Sequence, residues 1–482
     1  MDLIPIAVFW CLAAWAFVGR SHRLAYLFFA AMSFGSFAVV PPAWLSGLTL
    51  TPAPIVAVLL IVRHFIGKDE LAYALGMATR PSRLAWLFLF WAFACITTLF
   101  MPRLFAGEVV VVPLRQDDIG AGPLAPSLQN LSQLLYLSIS VAMVFVFTRM
   151  LRTAAMRRHA LAALCLGAAM AVFTGLLDFG TLFLPLEGLL EPFRTATYAL
   201  LTSIEVVDGK RVVGLMPEAS TFGYLTLSFL VSLYFLRRAM PAGLLRDRIV
   251  PVLLVMLVLL LWLSTSSAAY LGFGVFACAA VAEWGWRAVG ARRNPYLHRG
   301  LLREFMIGLG VLTVLLLLVV AFPQLLAPVM ERIDTWVLQK AASSSFEERN
   351  MWTQVAWDAV AATYGLGVGL GGTRASNLLV ALASNAGVLA TLCYLAFVVQ
   401  CLGLRRAAPF DVQGQALLVG IRWAYAAPFV SSLVIGTSPD FGLFNAFLYG
   451  FAMAATSAAS SYRAQVSAAS SPFSAARNAH GV

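Results

Sequence analysis

Charge is what this sequence has least of. Only 11% of its 482 residues are Asp, Glu, Lys or Arg, where a soluble domain carries roughly a quarter. With 61% hydrophobic residues and a mean hydropathy of +0.85, such a chain is a poor candidate for a soluble enzyme. Cysteine is scarce too. Cys11, Cys95, Cys165, Cys278, Cys393 and Cys401 all fall in apolar stretches without metal-ligand spacing. They read as small buried hydrophobes rather than as a disulfide framework or a metal site. Histidine numbers five. The start, Met1-Asp2-Leu3, has no positive n-region, so a cleavable signal peptide is not expected and the first apolar run is expected to be retained. No internal repeat is evident.

Long apolar runs are what the chain does have. A bilayer core of about 30 Å needs about 20 apolar residues per helix. Runs near 2–18, 24–42, 50–66, 84–101, 129–148, 160–182, 220–236, 249–264, 267–285, 305–322, 376–402, 414–436 and 441–460 meet or approach that. The expected fold is all-α: a polytopic membrane protein with about 13 spans and large outer loops. Segments 1–204, 205–402 and 403–460 read as an N-terminal helical part, a core and a C-terminal helical part. Residues 461–482, rich in Ser and Ala, read as a disordered tail.

The charges sort the loops. Of 33 Lys+Arg, 23 fall in segments 20–23, 63–83, 149–158, 237–248, 287–303, 405–406 and 463–477. The alternate loops hold Arg103, Arg115, Arg194, Lys210, Arg211, Arg332, Lys340, Arg349 and Arg374. The positive-inside rule makes the first set cytoplasmic. The net charge of +11 is then a topology signal, not a nucleic-acid surface. The long loops 102–128, 183–219 and 323–375 lie on the other face, and long loops commonly carry function. All five histidines, His22, His64, His159, His298 and His480, fall on the cytoplasmic side.

Candidate site residues cluster in those outer loops. Lys210 and Arg211 precede a span on the face where basic residues are disfavoured. They suit interfacial snorkelling or a phosphate clamp, because Arg presents a planar fork of donors. Glu218 follows Pro217 at the start of the seventh span. It suits the helix N-terminus electrostatically, or it acts as a general base. Glu347, Glu348 and Arg349 open a stretch in which Trp352, Val355, Ala356, Ala359 and Val360 recur at helical spacing. That pattern predicts an amphipathic outer helix, capped by Ser343-Ser344-Ser345, with Arg349 directed at the spans. The run Gly365 to Gly372, including Gly369 and Gly371, either cradles phosphate with its backbone N–H groups or packs tightly against helices. Arg374 just beyond it favours an anion site. No strand precedes the glycines, so a dinucleotide fingerprint is rejected. Ser264-Thr265-Ser266-Ser267 predicts a tight outer turn. Arg422, inside a span, either snorkels or faces a polar cavity, which Asp440 in a short outer turn could border.

In order and spacing these pieces resemble the Wzy-type polysaccharide polymerase and O-antigen ligase superfamily. The resemblance covers most of the chain and is clearest over 205–400. It rests on Arg211-Val-Val-Gly214 followed by Pro217-Glu218-Ala-Ser220 and Gly223, and on the Ser-rich turn within Leu261–Phe273. It rests also on Arg349 with Trp352, the glycine run, and the following span with Asn385 and Gly387. The resemblance implies a GT-C-like glycosyltransferase at the periplasmic face of a bacterial inner membrane. The donor would be an undecaprenyl-diphosphate-linked glycan and the acceptor a sugar hydroxyl, with no cofactor or metal. A chain-length regulator or an export complex is the implied protein partner. Glu218, Arg211 and Arg349 would be catalytic. Lys210, Arg374, Gly369, Gly371, Glu348, Arg422 and Asp440 would bind substrate. Two departures matter. Ligases of this superfamily use a histidine in the large outer loop, and none is expected there, which favours polymerase over ligase. The Ser-rich turn also lacks the Arg often found in it, since Ala268 follows Ser267. A lipid-linked oligosaccharide transporter is the alternative of another class. Its charges should lie near the midplane, whereas here they gather in loops.

Overall fold

A computed structural model describes residues 3–45, 49–114, 120–198, 200–201, 205–206, 209–290, 294–322 and 344–469. It is a bundle of helices with two short antiparallel hairpins. The helices are α1 (Ile4–Val18), α2 (Ser21–Ala31), α3 (Pro52–Phe65), α4 (Glu70–Ala78), α5 (Ala85–Leu104), α6 (Leu128–Met150), α7 (Ala154–Gly180) and the short α8 (Glu187–Leu190). They continue with α9 (Ala219–Leu236), α10 (Val250–Leu263), α11 (Ser267–Gly290), α12 (Pro295–His298), α13 (Leu301–Ala321) and α14 (Ser344–Ala362). Then come α15 (Leu378–Ala386), α16 (Val388–Val398), α17 (Val412–Ile435) and α18 (Gly442–Ala469). The hairpins pair β1 (Val110–Val111) with β2 (Gly122–Pro123) and β3 (Glu205–Val206) with β4 (Gly209–Lys210). Among the described residues seven helices are long and apolar enough to cross a membrane, and four shorter ones are apolar.

Every apolar run coincides with a helix, but two runs are not continuous. The run at 24–42 is helical only to Ala31. Beyond it, Ser33, Gly35, Ser36 and the Pro41-Pro42 pair favour non-helical backbone. Its polar groups are satisfied by other segments: Ser36 N–H donates to Leu215 O at 2.9 Å, and Val39 N–H to Leu50 O at 2.9 Å. Irregular backbone at membrane depth is tolerated where protein buries it. The run at 376–402 breaks at Gly387, whose φ of +89° and ψ of 159° exclude a side chain. Two other expectations change. Helix α4 was not anticipated. Helix α18 carries its backbone through 461–469, where disorder was expected; residues 470–482 lie outside the described part. All six cysteines are free, but Cys11 and Cys278 are exposed on helix surfaces rather than buried.

The core runs along α2, α6, α7, α9 and α18. Phe28, Phe147, Phe447 and Phe29 form an edge-to-face chain there, with centroids 4.8–5.5 Å apart. Such pairs add about 0.5–1.5 kcal/mol each beyond their buried area.

The loops interlock at two opposite ends, in the two sets the charge pattern separates. At the basic end Arg149 meets Glu70, Arg157 meets Asp411 and Asn294 meets Val412. At the other end Ser36 meets Leu215, Arg211 meets Thr265 and Arg374 meets Val112.

Candidate functional site

At the end opposite the basic loops lies a cavity of about 360 Å³. The start of α9, helix α14, the last turns of α17, the turn 436–441 and the start of α18 enclose it. Glu218, Arg349 and Asp440, which lie in three separate stretches of sequence, all line it.

Glu218 is the N-cap of α9, in extended conformation. Its carbonyl accepts from Phe222 N–H at 3.1 Å and from the Thr221 hydroxyl at 2.8 Å. The side chain does not cap the helix; its Oε1 accepts from the Ser220 hydroxyl. The simple helix-dipole reading therefore leaves the carboxylate's position in a cavity unexplained. Pro217 lies one residue before the cap, not in the first helical turn, and its carbonyl accepts from Leu201 N–H at 2.8 Å.

Arg349 stands in the first turns of α14, half-buried. Only part of the expected apolar face is buried: Ala356 and Ala359 are buried and Trp352, Val355 and Val360 half-buried, while Gln354, Trp357 and Asp358 are exposed. The side chains of Ser344 and Ser345 and the whole of Ser343 are outside the described part, and so is the expected cap. Arg349 has no ion-pair partner among the described residues, and it faces the cavity.

Asp440 is held in its turn by Gly442 N–H, which donates to Oδ1 at 3.0 Å, and by the Ser140 hydroxyl, which donates to Oδ2 at 3.0 Å. Burial pushes its carboxyl up to about 6, against the pull of those two bonds. A carboxyl in that range exchanges its proton near neutral pH.

Arg211 sits beside the cavity rather than in its wall. Its Nε donates to Thr265 Oγ1 at 2.8 Å and its Nη2 to Thr265 O at 3.0 Å. Burial lowers its affinity for its proton; Glu218 opposes that shift and Arg349 adds to it. The three charges thus share one electrostatic neighbourhood. The Ser-rich turn has the expected place, between α10 and α11. No Arg lies within the turn, but Arg211 brings a guanidinium onto it.

The segment before α9 is locked by a pair that sequence reasoning overlooked. Asp178, fully buried near the end of α7, accepts from Val213 N–H at 2.7 Å, Gly214 N–H at 3.0 Å and Arg194 Nη2 at 2.9 Å. An acid inside the apolar run 160–182 was the available signal, since a charge there is costly unless paired. Below the carboxylates, buried hydroxyls form a string. Tyr425, which lines the cavity, accepts from Tyr449 at 2.7 Å, and Tyr449 lies 2.8 Å from the Tyr394 hydroxyl. Nothing in one sequence announces that string.

Several expected binders lie elsewhere. The glycine run packs tightly against its neighbours. Gly369 and Gly371 have φ of +86° and +74°. A Cβ on Gly369 would lie 2.6 Å from Pro102, and one on Gly371 2.8 Å from Gln133. The N–H groups of Gly367, Val368, Leu370, Gly372, Thr373 and Arg374 are bonded to Thr363, Ser384, Thr98, Gly369, Asn385 and Val112. These six N–H groups are therefore not free to hold an anion. Arg374 donates to Leu114 O and lies 5.1 Å from the Trp352 ring centre. Burial disfavours its charge and nearby Glu348 opposes that shift; Glu348 is not among the residues that line the cavity. Arg422 snorkels: it donates to Gly403 O at 3.3 Å and to Arg405 O, at the basic end. The Lys210 side chain lies outside the described part, as do Arg115, Arg332 and Lys340. His22, His64 and His159 are likewise at the basic end, where His22 and His159 stack with centroids 4.2 Å apart and His64 meets Glu70. No cluster of His, Cys, Asp or Glu able to hold a metal occurs among the described residues.

The chain matches no family model and no curated protein sequence.

Proposed function

We propose that the protein is a polysaccharide polymerase of the bacterial inner membrane. It would join undecaprenyl-diphosphate-linked oligosaccharide repeat units at the periplasmic face, within a thirteen-span, GT-C-like fold. The observation that carries this reading is the convergence of Glu218, Arg349 and Asp440 on one cavity, at the end away from the basic loops.

In this reading the acceptor sugar hydroxyl attacks the anomeric carbon of the donor. A carboxylate takes the hydroxyl proton, and the lipid diphosphate leaves with the bonding pair. Glu218 and Asp440 are the two carboxylates available. Arg349, with no carboxylate of its own among the described residues, stabilises the charge that develops on the diphosphate, and Arg211 adds to the positive potential. The absence of histidine from this end among the described residues favours polymerase over ligase. Charges in loops rather than at mid-span disfavour a transporter.

Proteoliposomes of purified protein supplied with a synthetic undecaprenyl-diphosphate-linked repeat unit test the proposal. A ladder of products longer by whole repeat units is expected. Transfer only to a lipid A core acceptor would make it a ligase, and translocation without a new bond would make it a transporter.

A further inference from the structure

A second cavity, of about 430 Å³, opens at the basic end, away from Glu218 and Asp440. It lies between the segment 237–251 and the start of α13. Five arginines and two carboxylates line it, a net charge of +3. Part of that charge is structural. Glu304 accepts from Arg237 at 2.8 Å, from Arg238 at 3.2 Å and from Arg287, while Glu283 pairs with Arg238 at 2.6 Å and Arg287 at 2.8 Å. Asp247 pairs with Arg246 at 2.8 Å. The surplus lies at the rim. Arg299 and Arg303 are exposed and have no carboxylate bonded to them among the described residues. Arg299 stacks on Tyr296, 4.3 Å from its ring centre, which holds its guanidinium in place.

Glu304 also borders an apolar groove of about 400 Å³ between α11 and α13. Trp284, Phe305, Gly308, Leu309 and Leu312 line it. Gly308 leaves it open, for no atom lies within 4 Å of where its Cβ would be. None of the residues of α13 is buried. The order along α13 is thus a cationic rim, then an apolar trough running into the membrane. A phospholipid has the same order, with an anionic phosphate at the interface and an acyl chain beneath it.

We propose that this pair of cavities binds an anionic phospholipid, with the headgroup phosphate at Arg299 and Arg303 and one acyl chain along the groove. Basic pockets between helices on the cytoplasmic side attract such headgroups, and this is the end where the basic loops gather. A phosphate group could also arrive on a soluble molecule. What distinguishes the two sources is the groove.

Purified full-length protein in detergent is titrated with dioleoylphosphatidylglycerol, dioleoylphosphatidylcholine or soluble glycerol 3-phosphate, and bound molecules are counted by native mass spectrometry. Phosphatidylglycerol is expected to bind at least tenfold more tightly than phosphatidylcholine. The double variant Arg299→Gln, Arg303→Gln should lose about tenfold or more of that affinity. Gly308→Trp should fill the groove and weaken phosphatidylglycerol binding, while the affinity for glycerol 3-phosphate stays as it was; it carries the test on its own if the double variant does not fold. Equal binding of the two lipids, or unchanged binding by either variant, overturns the proposal. Glycerol 3-phosphate binding as tightly as phosphatidylglycerol overturns it in favour of a soluble anion. Loss of lipid through dimer formation overturns it in favour of a second copy on the α13 face.

Discussion

The guanidinium of Arg211 holds Thr265 at two points, through its hydroxyl at 2.8 Å and its carbonyl at 3.0 Å. Thr265 has a φ of +46°, left-handed backbone that a β-branched residue seldom adopts. One motif of the sequence therefore pins the strained turn of another. Gly223, one turn into α9, completes the contact: a Cβ there would lie 2.8 Å from Ala269 and 3.0 Å from Ser264 Oγ.

Arg211→Ala is expected to abolish polymer synthesis and also to destabilise the protein, by roughly 1.5–3 kcal/mol for lost charged hydrogen bonds. Arg211→Lys should restore little, because one ammonium cannot replace the two-point fork. Thermal unfolding of both variants in detergent checks this. Parental stability with lost activity would make Arg211 a substrate contact alone.

Arg349→Ala should behave differently. With no ion pair to break among the described residues, it should leave stability within about 0.5 kcal/mol of the parent. Polymer should nevertheless fall more than tenfold, with partial rescue by Arg349→Lys. Near-normal polymer from the alanine variant would remove the proposed diphosphate contact.

Asp440 gives a pH signature. Its carboxyl is raised to about 6 by burial, above its ordinary value of 3.8. The folded protein therefore holds this proton more tightly than the unfolded chain. The associated stability is present below about pH 4 and is lost as pH rises through about 6. If Asp440 must be ionised for turnover, activity should climb with pH through the same window. Asp440→Asn should be inactive or lack that limb of the profile. An unchanged profile in the variant would exclude Asp440 from proton transfer.

Gly369→Ala separates the two readings of the glycine run. The backbone conformation and the approach of Pro102 predict a stability loss of roughly 1–3 kcal/mol or more, visible as reduced accumulation and a lower Tm. A stable variant with weakened donor binding would reinstate the phosphate cradle.

The legible part of this fold was set by patterns that a single sequence carries locally. Apolar run length marked the helices. Periodicity marked the buried side of α14 at Ala356 and Ala359. The 264–267 turn was marked by polar residues interrupting an apolar stretch. What escaped depends on partners distant in sequence. The run at 24–42 leaves helix at Ala31, and its non-helical continuation is sustained by Leu215 and Leu50, which accept the N–H groups of Ser36 and Val39. Arg422 was ambiguous because the carbonyls of Gly403 and Arg405, brought near by the turn between α16 and α17, decide its direction. In the site, Glu218, Arg349 and Asp440 could each be named, but their convergence could not. The glycines pointed equally to packing and to anion binding until Pro102 and Gln133 were in view.

The proposed function makes the cavity beside Glu218 the seat of glycosyl transfer, with Glu218 as the foremost candidate base. The most direct test is the single-turnover rate of polymer extension by Glu218→Gln in proteoliposomes with a lipid-linked repeat unit. Gln keeps the size and a hydrogen-bond acceptor for Ser220 but does not take up the hydroxyl proton. A fall of roughly 10²–10⁴ in rate is expected, with donor binding and Tm close to the parent's. Extension at the parental rate would contradict it and leave Asp440 as the carboxylate to examine.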